Sequence, residues 1–268
     1  MKNLAFSFLI AAFSTATVFA ADNELTAEEK SAGWKLLFDG KSAAGWRGYK
    51  QKTVPAKGWK VEKGILEKIA GERGGDIVTE QTFLDFEFAW EWKLAPGGNN
   101  GVKYLVTEER AGAPGHEYQM IDDGKHPDAK GAGTHLTAAF YDVLPTIANK
   151  PIKPAGEWNQ SRLIVRGNHI EHWLNGKKAV EYELGSDVVK AALAKSKFKK
   201  CERFWRQNQR APDAHGPRRW LRLPQSEAAR VVGEVRLGTF AASARTTSRI
   251  CRLTTRACAA ILAAAFCG

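Results

Sequence analysis

The stretch Asp85-Phe-Glu-Phe-Ala-Trp-Glu-Trp-Lys93 alternates without a break. Phe86, Phe88, Trp90 and Trp92 fall on one side, and Asp85, Glu87, Glu91 and Lys93 on the other. A period of two held this long marks a strand with one buried face, because a helix would spread the four aromatics around its circumference. The same grammar runs outward in both directions. Trp59-Lys-Val-Glu62 and Ile65-Leu-Glu-Lys68 flank Lys63-Gly64, a hairpin signal. Residues 96–101 read as a loop, followed by strands at 102–106 and 117–121, a polar loop at 124–133 and a short strand at 137–141. Residues 162–182 form a meander whose connections, Gly167-Asn168 and Asn175-Gly176, tolerate the positive φ of tight turns. Only residues 186–197 have helical spacing, with Val189, Ala192 and Leu193 on one side. Many short strands with regular turns predict an all-β sandwich or barrel.

Charge divides the chain of 268 residues into two unlike parts. The net charge of +11 suggests a nucleic-acid or acidic-surface partner until it is located. Residues 1–200 hold 28 Lys and Arg against 25 Asp and Glu, whereas residues 201–268 hold 12 Arg, no Lys and 4 acids. The excess belongs to the tail, so the first 200 residues give no reason to expect nucleic acid. All four cysteines (Cys201, Cys251, Cys258 and Cys267) lie in the tail too, which is not how a disulfide framework is distributed. At the other end, Lys2, the apolar run at 4–18 and Val18-Phe-Ala20 before Ala21-Asp22 have the form of an export signal cleaved after Ala20. The expected organisation is a signal at 1–20, a sandwich over 21–200 and a tail at 201–268. The expected location is periplasmic or secreted, with no membrane span once the signal is removed.

Several pieces, in order and at matched spacing, resemble the 3-keto-disaccharide hydrolase domain family. They are Trp34-Lys-Leu-Leu-Phe-Asp-Gly40 with Gly45-Trp-Arg47, Asp85-Phe-Glu87, Asn99-Asn-Gly101, Glu117-Tyr-Gln-Met-Ile-Asp-Asp123, Gly156-Glu-Trp-Asn159 and His172-Trp-Leu-Asn-Gly176. The family's usual Asn-Ser-Gly appears here as Asn-Asn-Gly. The resemblance covers residues 34–182 and implies a concanavalin-like jelly-roll sandwich acting on carbohydrate, with 3-keto glycosides as the characterised substrates.

The family's C-terminal signature, approximately Gly-His-Ile-x-Leu-Gln-Asp-His-Gly followed by Phe-Arg-Asn-Ile, is absent in frame. The genetic code recovers it one base along. Trp205-Arg206 and Trp220-Leu221 must then each give Gly. Where the code leaves a choice, residues 210–219 become Gly-His-Leu-Met-Leu-Thr-Asp-His-Gly-Asp, and 223–229 become Phe-Arg-Asn-Leu-Lys-Leu-Arg. The switch from Lys to Arg and the clustered cysteines fit the same event. The tail therefore reads as a frameshift that removes the closing strands. It is expected to be extended, loosely packed or folded into stray helices around Ala241 and 259–265, leaving the chain as written unstable or inactive. The competing reading is a genuine Arg- and Ala-rich extension that binds an acidic partner.

The implied reaction sets the requirements for a site. A 3-keto group acidifies the hydrogen on C2; a base removes it, an oxyanion develops, and the C1 substituent leaves as it takes a proton. Glu117 and Gln119, two apart on a strand, share a face; Glu117 is the candidate base and Gln119 a sugar-binding group. His172 is the candidate acid or base that titrates near neutrality, against a hydrogen-bonded core histidine. Asn100 and Lys103 are placed at the rim of the same site, Lys103 to steady the oxyanion. Tyr141 and Asn159 offer hydrogen bonds to hydroxyls. Trp158 and Trp46 offer stacking surfaces, though large aromatics also fill cores. Asp122 and Asp123 could hold a divalent cation with loop carbonyls, or simply make an Asp-Asp-Gly turn; no other cofactor is indicated. Enzyme and non-catalytic carbohydrate-binding module both live on this architecture, so fold alone does not choose.

Overall fold

A computed structural model describes residues 23–83, 85–106, 108, 116–130, 133–200, 220–223 and 229–238. The export signal at 1–20 and the helices expected around Ala241 and 259–265 lie outside them. The strands, in chain order, are β1 (Lys35–Leu36), β2 (Trp46–Gly48), β3 (Trp59–Glu62), β4 (Ile65–Lys68), β5 (Ile77–Thr79), β6 (Phe86–Leu94), β7 (Asn99–Val106), β8 (His116–Ile121), β9 (Asn159–Arg166), β10 (His169–Leu174), β11 (Lys177–Glu183), β12 (Trp220–Leu223) and β13 (Ala229–Gly238). They form two antiparallel sheets. The first runs β11-β10-β9-β6-β13-β4-β3, with β1 also on β13; the second runs β2-β5-β12-β7-β8. Among the described residues no helix is long and apolar enough to cross a membrane.

The β6 alternation builds the core. Phe86, Phe88, Trp90 and Trp92 are all buried, and Phe88 and Trp90 stack at 4.7 Å. The indole N–H groups need acceptors once water is excluded, and the facing sheet and β9 supply them. Trp90 Nε1 donates to Met120 Sδ (3.3 Å), and Trp92 Nε1 to Ser161 Oγ (2.8 Å), which also bonds Tyr118 Oη at 2.7 Å. Asn175-Gly176 makes the predicted tight turn with φ of 44° and 81°.

Two helical elements flank the sheets. α1 (Ala27–Ser31) is closed by a reciprocal capping box between Thr26 and Glu29. α2 (Asp187–Leu193), shorter than the expected 186–197, begins at a Ser186 cap and buries Val189 and Leu193. Residues 137–141 make only isolated bridges, Phe140 with Tyr118 and with Leu144, rather than a strand.

Two expectations are corrected. Residues 99–101, read as loop, are already strand, so Asn100 is interior. The tail was expected not to close the sandwich, but its described residues, 220–223 and 229–238, are paired within it: β12 pairs with β5 and β7, and β13 lies between β6 and β4. The pairing is irregular. From Val232 to Arg236 β13 advances four residues while β6 advances two, from Glu91 to Ala89. The physical reason for the miss is that Val231, Val232, Val235 and Leu237 give the segment enough apolar, mostly β-branched residues for a strand despite its arginines.

Candidate functional site

The paired strands β7 and β8 sort the candidate residues onto two faces. Val102 pairs with Tyr118 and Tyr104 with His116, and these side chains enter the core between the sheets. Gly101 pairs with Gln119 and Lys103 with Glu117, so these turn to the opposite, outer face. Although outward, Lys103, Glu117 and Gln119 are only 2%, 4% and 1% exposed. Lys103 is thus a floor of the site rather than its rim.

Glu117 Oε2 lies 3.4 Å from Lys103 Nζ, close enough for charge pairing but without hydrogen-bond geometry. Burial outweighs that attraction on both sides: it raises the Glu117 carboxyl above the usual carboxylate range and lowers the Lys103 ammonium to about 8. Glu117 Oε2 and Gln119 Oε1 are buried acceptors with no hydrogen-bond donor among the described residues. Unsatisfied buried acceptors are costly and call for an explanation. Gly101 makes room for the carboxylate, since a Cβ there would sit 3.0 Å from Glu117 Cγ and Cδ.

Tyr141 joins this face. Its N–H donates to the Glu117 carbonyl (3.0 Å), its hydroxyl donates to Asp128 Oδ2 (2.8 Å), and Lys197 Nζ donates to that hydroxyl at 2.9 Å. Lys197 follows α2, and neither its position nor that of Asp128 was anticipated. Two charged groups that reach one Tyr from distant segments leave no local sequence signal.

His172 does not share the site with Glu117. It points from β10 into the core, fully buried, on the far side of β7 and β8. Its Nδ1–H donates to the Ala138 carbonyl (3.0 Å), which fixes the tautomer and leaves Nε2 to accept from Tyr104 Oη at 2.6 Å. Tyr104 in turn accepts from Tyr182 Oη (2.8 Å), which accepts from His116 Nδ1 (3.0 Å). Burial pushes His172 down to about 3. The folded protein therefore keeps it neutral between about pH 3 and its ordinary value near 6.5, while the unfolded chain takes up a proton. The unfolded state binds more protons in that window, so stability rises with pH and falls on acidification below about 6.5. Urea melts from pH 7 to 4 should show this loss, and it should shrink in His172→Gln; an imidazole titrating at His172 between pH 5 and 8 would contradict it.

The remaining candidates lie elsewhere. Asn100 pairs with Met120 on the core face, its Oδ1 accepting from the Gly101 N–H and its Nδ2 without a partner among the described residues. Asn159 supports a loop through both Lys153 backbone groups and Asn175 Nδ2. Trp158 packs under Lys93 at 4.7 Å beside the first sheet, and Trp46 is a core residue donating to the Leu37 carbonyl. Asp122 and Asp123 are committed to structure rather than placed around a cation. Asp122 accepts from the N–H groups of Gly97, Gly124 and Lys125; Asp123 accepts from the Thr137 N–H and pairs with Lys150 at 2.6 Å. The one cluster of three potential metal-binding groups among the described residues is His169, Glu171 and Glu181 on the first sheet. There Lys178 already lies 2.9 Å from Glu181 and 3.4 Å from Glu171.

Residues 33–208 match the family model described as the 3-keto-alpha-glucoside-1,2-lyase-like domain. A curated relative, the 3-keto-disaccharide hydrolase of Bacteroides thetaiotaomicron, is 34% identical over 189 residues, 62% of this chain and 64% of the relative. The chain thus spans a little under two thirds of that relative's length. A crystal structure of a candidate glycosyl hydrolase from Parabacteroides distasonis is 31% identical and superposes with a TM-score of 0.68 over 82% of this chain and all of that one. A second from the same organism, 23% identical, shows the same fold with a TM-score of 0.56 over 77% of this chain and 99% of its own. The two-sheet architecture, the matched segment and these relatives agree: the chain is a jelly-roll sandwich and belongs to the 3-keto-alpha-glucoside-1,2-lyase-like domain family.

Proposed function

We propose that this is an exported, carbohydrate-active enzyme that cleaves 3-keto glycosides by removing the C2 proton and eliminating the C1 substituent. The observation that carries the reading is the outer face of β7 and β8. There a buried carboxylate with a raised pKa sits beside a buried lysine and a glutamine oxygen that has no hydrogen-bond partner among the described residues. Glu117 takes the C2 proton, for which a pKa moved toward the working pH makes it a stronger base. Negative charge moves to the C3 carbonyl oxygen, and the ammonium of Lys103 stabilises it in surroundings poor in water. The C1–O bond then breaks as the C1–C2 double bond forms, the leaving oxygen takes the proton that Glu117 removed, and water adds across the double bond, hydroxyl to C1 and hydrogen to C2, to complete net hydrolysis. Gln119 Oε1 and Tyr141 receive sugar hydroxyls. A glycosidase of the usual kind would need two carboxylates flanking the bond. Here Glu117 is paired with a cation, and the neighbouring Asp128 is already held by Tyr141 and His135.

The test compares a 3-keto disaccharide with its unoxidised parent. The keto sugar alone should be cleaved, and deuterium at C2 should slow the reaction. Equal cleavage of the parent would overturn the proposal, and binding without turnover would favour a carbohydrate-binding module. Because the Asp-His-Gly segment of the family is missing from the chain as written, we further propose that full activity belongs to the alternative reading frame.

A further inference from the structure

The loop that carries Tyr141 is closed by a histidine gripped from both sides. His135, at the end of the short 3-10 helix Gly133–His135, is half-buried. Its Nδ1 lies 2.8 Å from Asp128 Oδ1, and its Nε2 lies 2.8 Å from Asp142 Oδ1. Ionised carboxylates only accept hydrogen bonds, and a neutral imidazole has one N–H to give. Two such contacts therefore need two N–H groups.

We propose that His135 is an imidazolium in the folded protein at neutral pH, and that this cation is the lock that ties Asp128 to Asp142 and so holds Tyr141 beside Glu117. The elements around it supply the groups that make a cation fit. Asp128, from the 3-10 helix Pro127–Lys130, uses its second oxygen for the Tyr141 hydroxyl. Asp142 uses its second oxygen for the Lys197 backbone N–H at 2.6 Å. The Tyr141 ring lies 4.9 Å from the imidazole, and Lys197 Nζ lies 4.0 Å from the centre of that ring. Burial alone would lower the His135 pKa, but the hydrogen bonds and charges of Asp142 and Asp128 overcome it and the net shift is upward.

The consequence is directional. When His135 loses its proton, one carboxylate meets a lone pair instead of an N–H. Asp128 and Asp142 then lose the cation that lies between them, and the link between their segments opens. Since Tyr141 bonds the Glu117 backbone, the break reaches the outer face of β8. His135 is a positioning residue: it touches Asp128 and Asp142 and acts through them. This charge assignment does not depend on which reaction the site performs.

The test is a histidine side-chain NMR titration of the full chain, with His135→Gln used for assignment. One histidine should show both ring N–H signals at pH 7 and titrate above the ordinary value near 6.5, and that signal should vanish in His135→Gln. Should that variant not fold, Asp142→Asn and Asp128→Asn serve instead, each lowering the titration midpoint by removing one partner. Amide exchange at Tyr141 and Lys197, corrected for its intrinsic pH dependence, should quicken by about tenfold as His135 deprotonates. A single-tautomer imidazole at pH 7, or a midpoint at or below 6.5, would overturn the proposal. Neither readout involves turnover, so its outcome stands apart from that of the 3-keto glycoside assay.

Discussion

Replacing Glu117 by Gln, in the chain restored to the alternative frame, should lower turnover of a 3-keto glycoside by about two to four orders of magnitude, the usual contribution of a general base. Binding should change by no more than a few-fold, because the amide keeps the shape and one acceptor oxygen of the carboxylate. The loss should therefore fall on kcat rather than KM, the signature of an interaction made only on the way to the transition state. Stability should not fall in parallel. Gln removes one buried charge, and Lys103, already lowered to about 8, can sit neutral beside an amide at modestly alkaline pH. If the variant turns over at the wild-type rate while Lys103→Met does not, the base is elsewhere and Lys103 alone matters on this face.

A chain ended at Lys200 should not fold at all. β13 is an internal strand of the first sheet, hydrogen-bonded to β6 on one side and to β4 and β1 on the other, and β12 joins β5 to β7 in the second. Removing both splits each sheet and exposes unpaired strand edges. The expected loss is the whole folded state, of the order of 5–15 kcal/mol. Circular dichroism and thermal melting of the shortened chain would check it, and a cooperative melt within a few degrees of the parent would refute the central placement of β12 and β13.

The same experiment extends to the reading frame. The match to the family ends at residue 208, just where the family's C-terminal signature goes missing. In the chain as written β13 slips on β6, four residues against two. We propose that the restored chain melts at higher temperature than the chain as written; an equal or lower melting point would favour a genuine extension. The DNA across codons 195–230 reads the frame directly.

What was legible in the sequence followed from side-chain period. β6 could be placed from four aromatics, and the β9-β10-β11 meander from its Asn-Gly turn. The pairing of Glu117 with Gln119 on a shared face was also right in parity. Parity alone does not say which face looks inward. For β10 the neighbours supplied the answer, since Ile170 and Leu174 flank His172 and are fully buried; a histidine in phase with them belongs to the core. For β8, Tyr118 and Met120 mark the inward face and leave Glu117 outward. The short helix α1, opened by the capping box of Thr26 and Glu29, was missed, because only residues 186–197 were read as helical. The cluster around His135 was not. It joins residues 128, 135, 141, 142 and 197, and no local pattern predicts that two short 3-10 turns and the end of α2 converge.

The position of β13 has a kinetic side. β4 is made early, yet its partner across the sheet emerges about 160 residues later, which at roughly 5–20 residues per second is of the order of 10–30 s of synthesis. During that interval the β3–β4 hairpin and β6 each carry an open flank that only the last part of the chain can cover. Long-range closure of this kind slows folding, because the entropy of the intervening loop must be lost before the pairing repays it. The molecule therefore cannot mature from its N-terminus forward. Its open strand edges have to be kept from other chains until β13 arrives, and a loss of frame between residues 200 and 220 strikes both sheets at once.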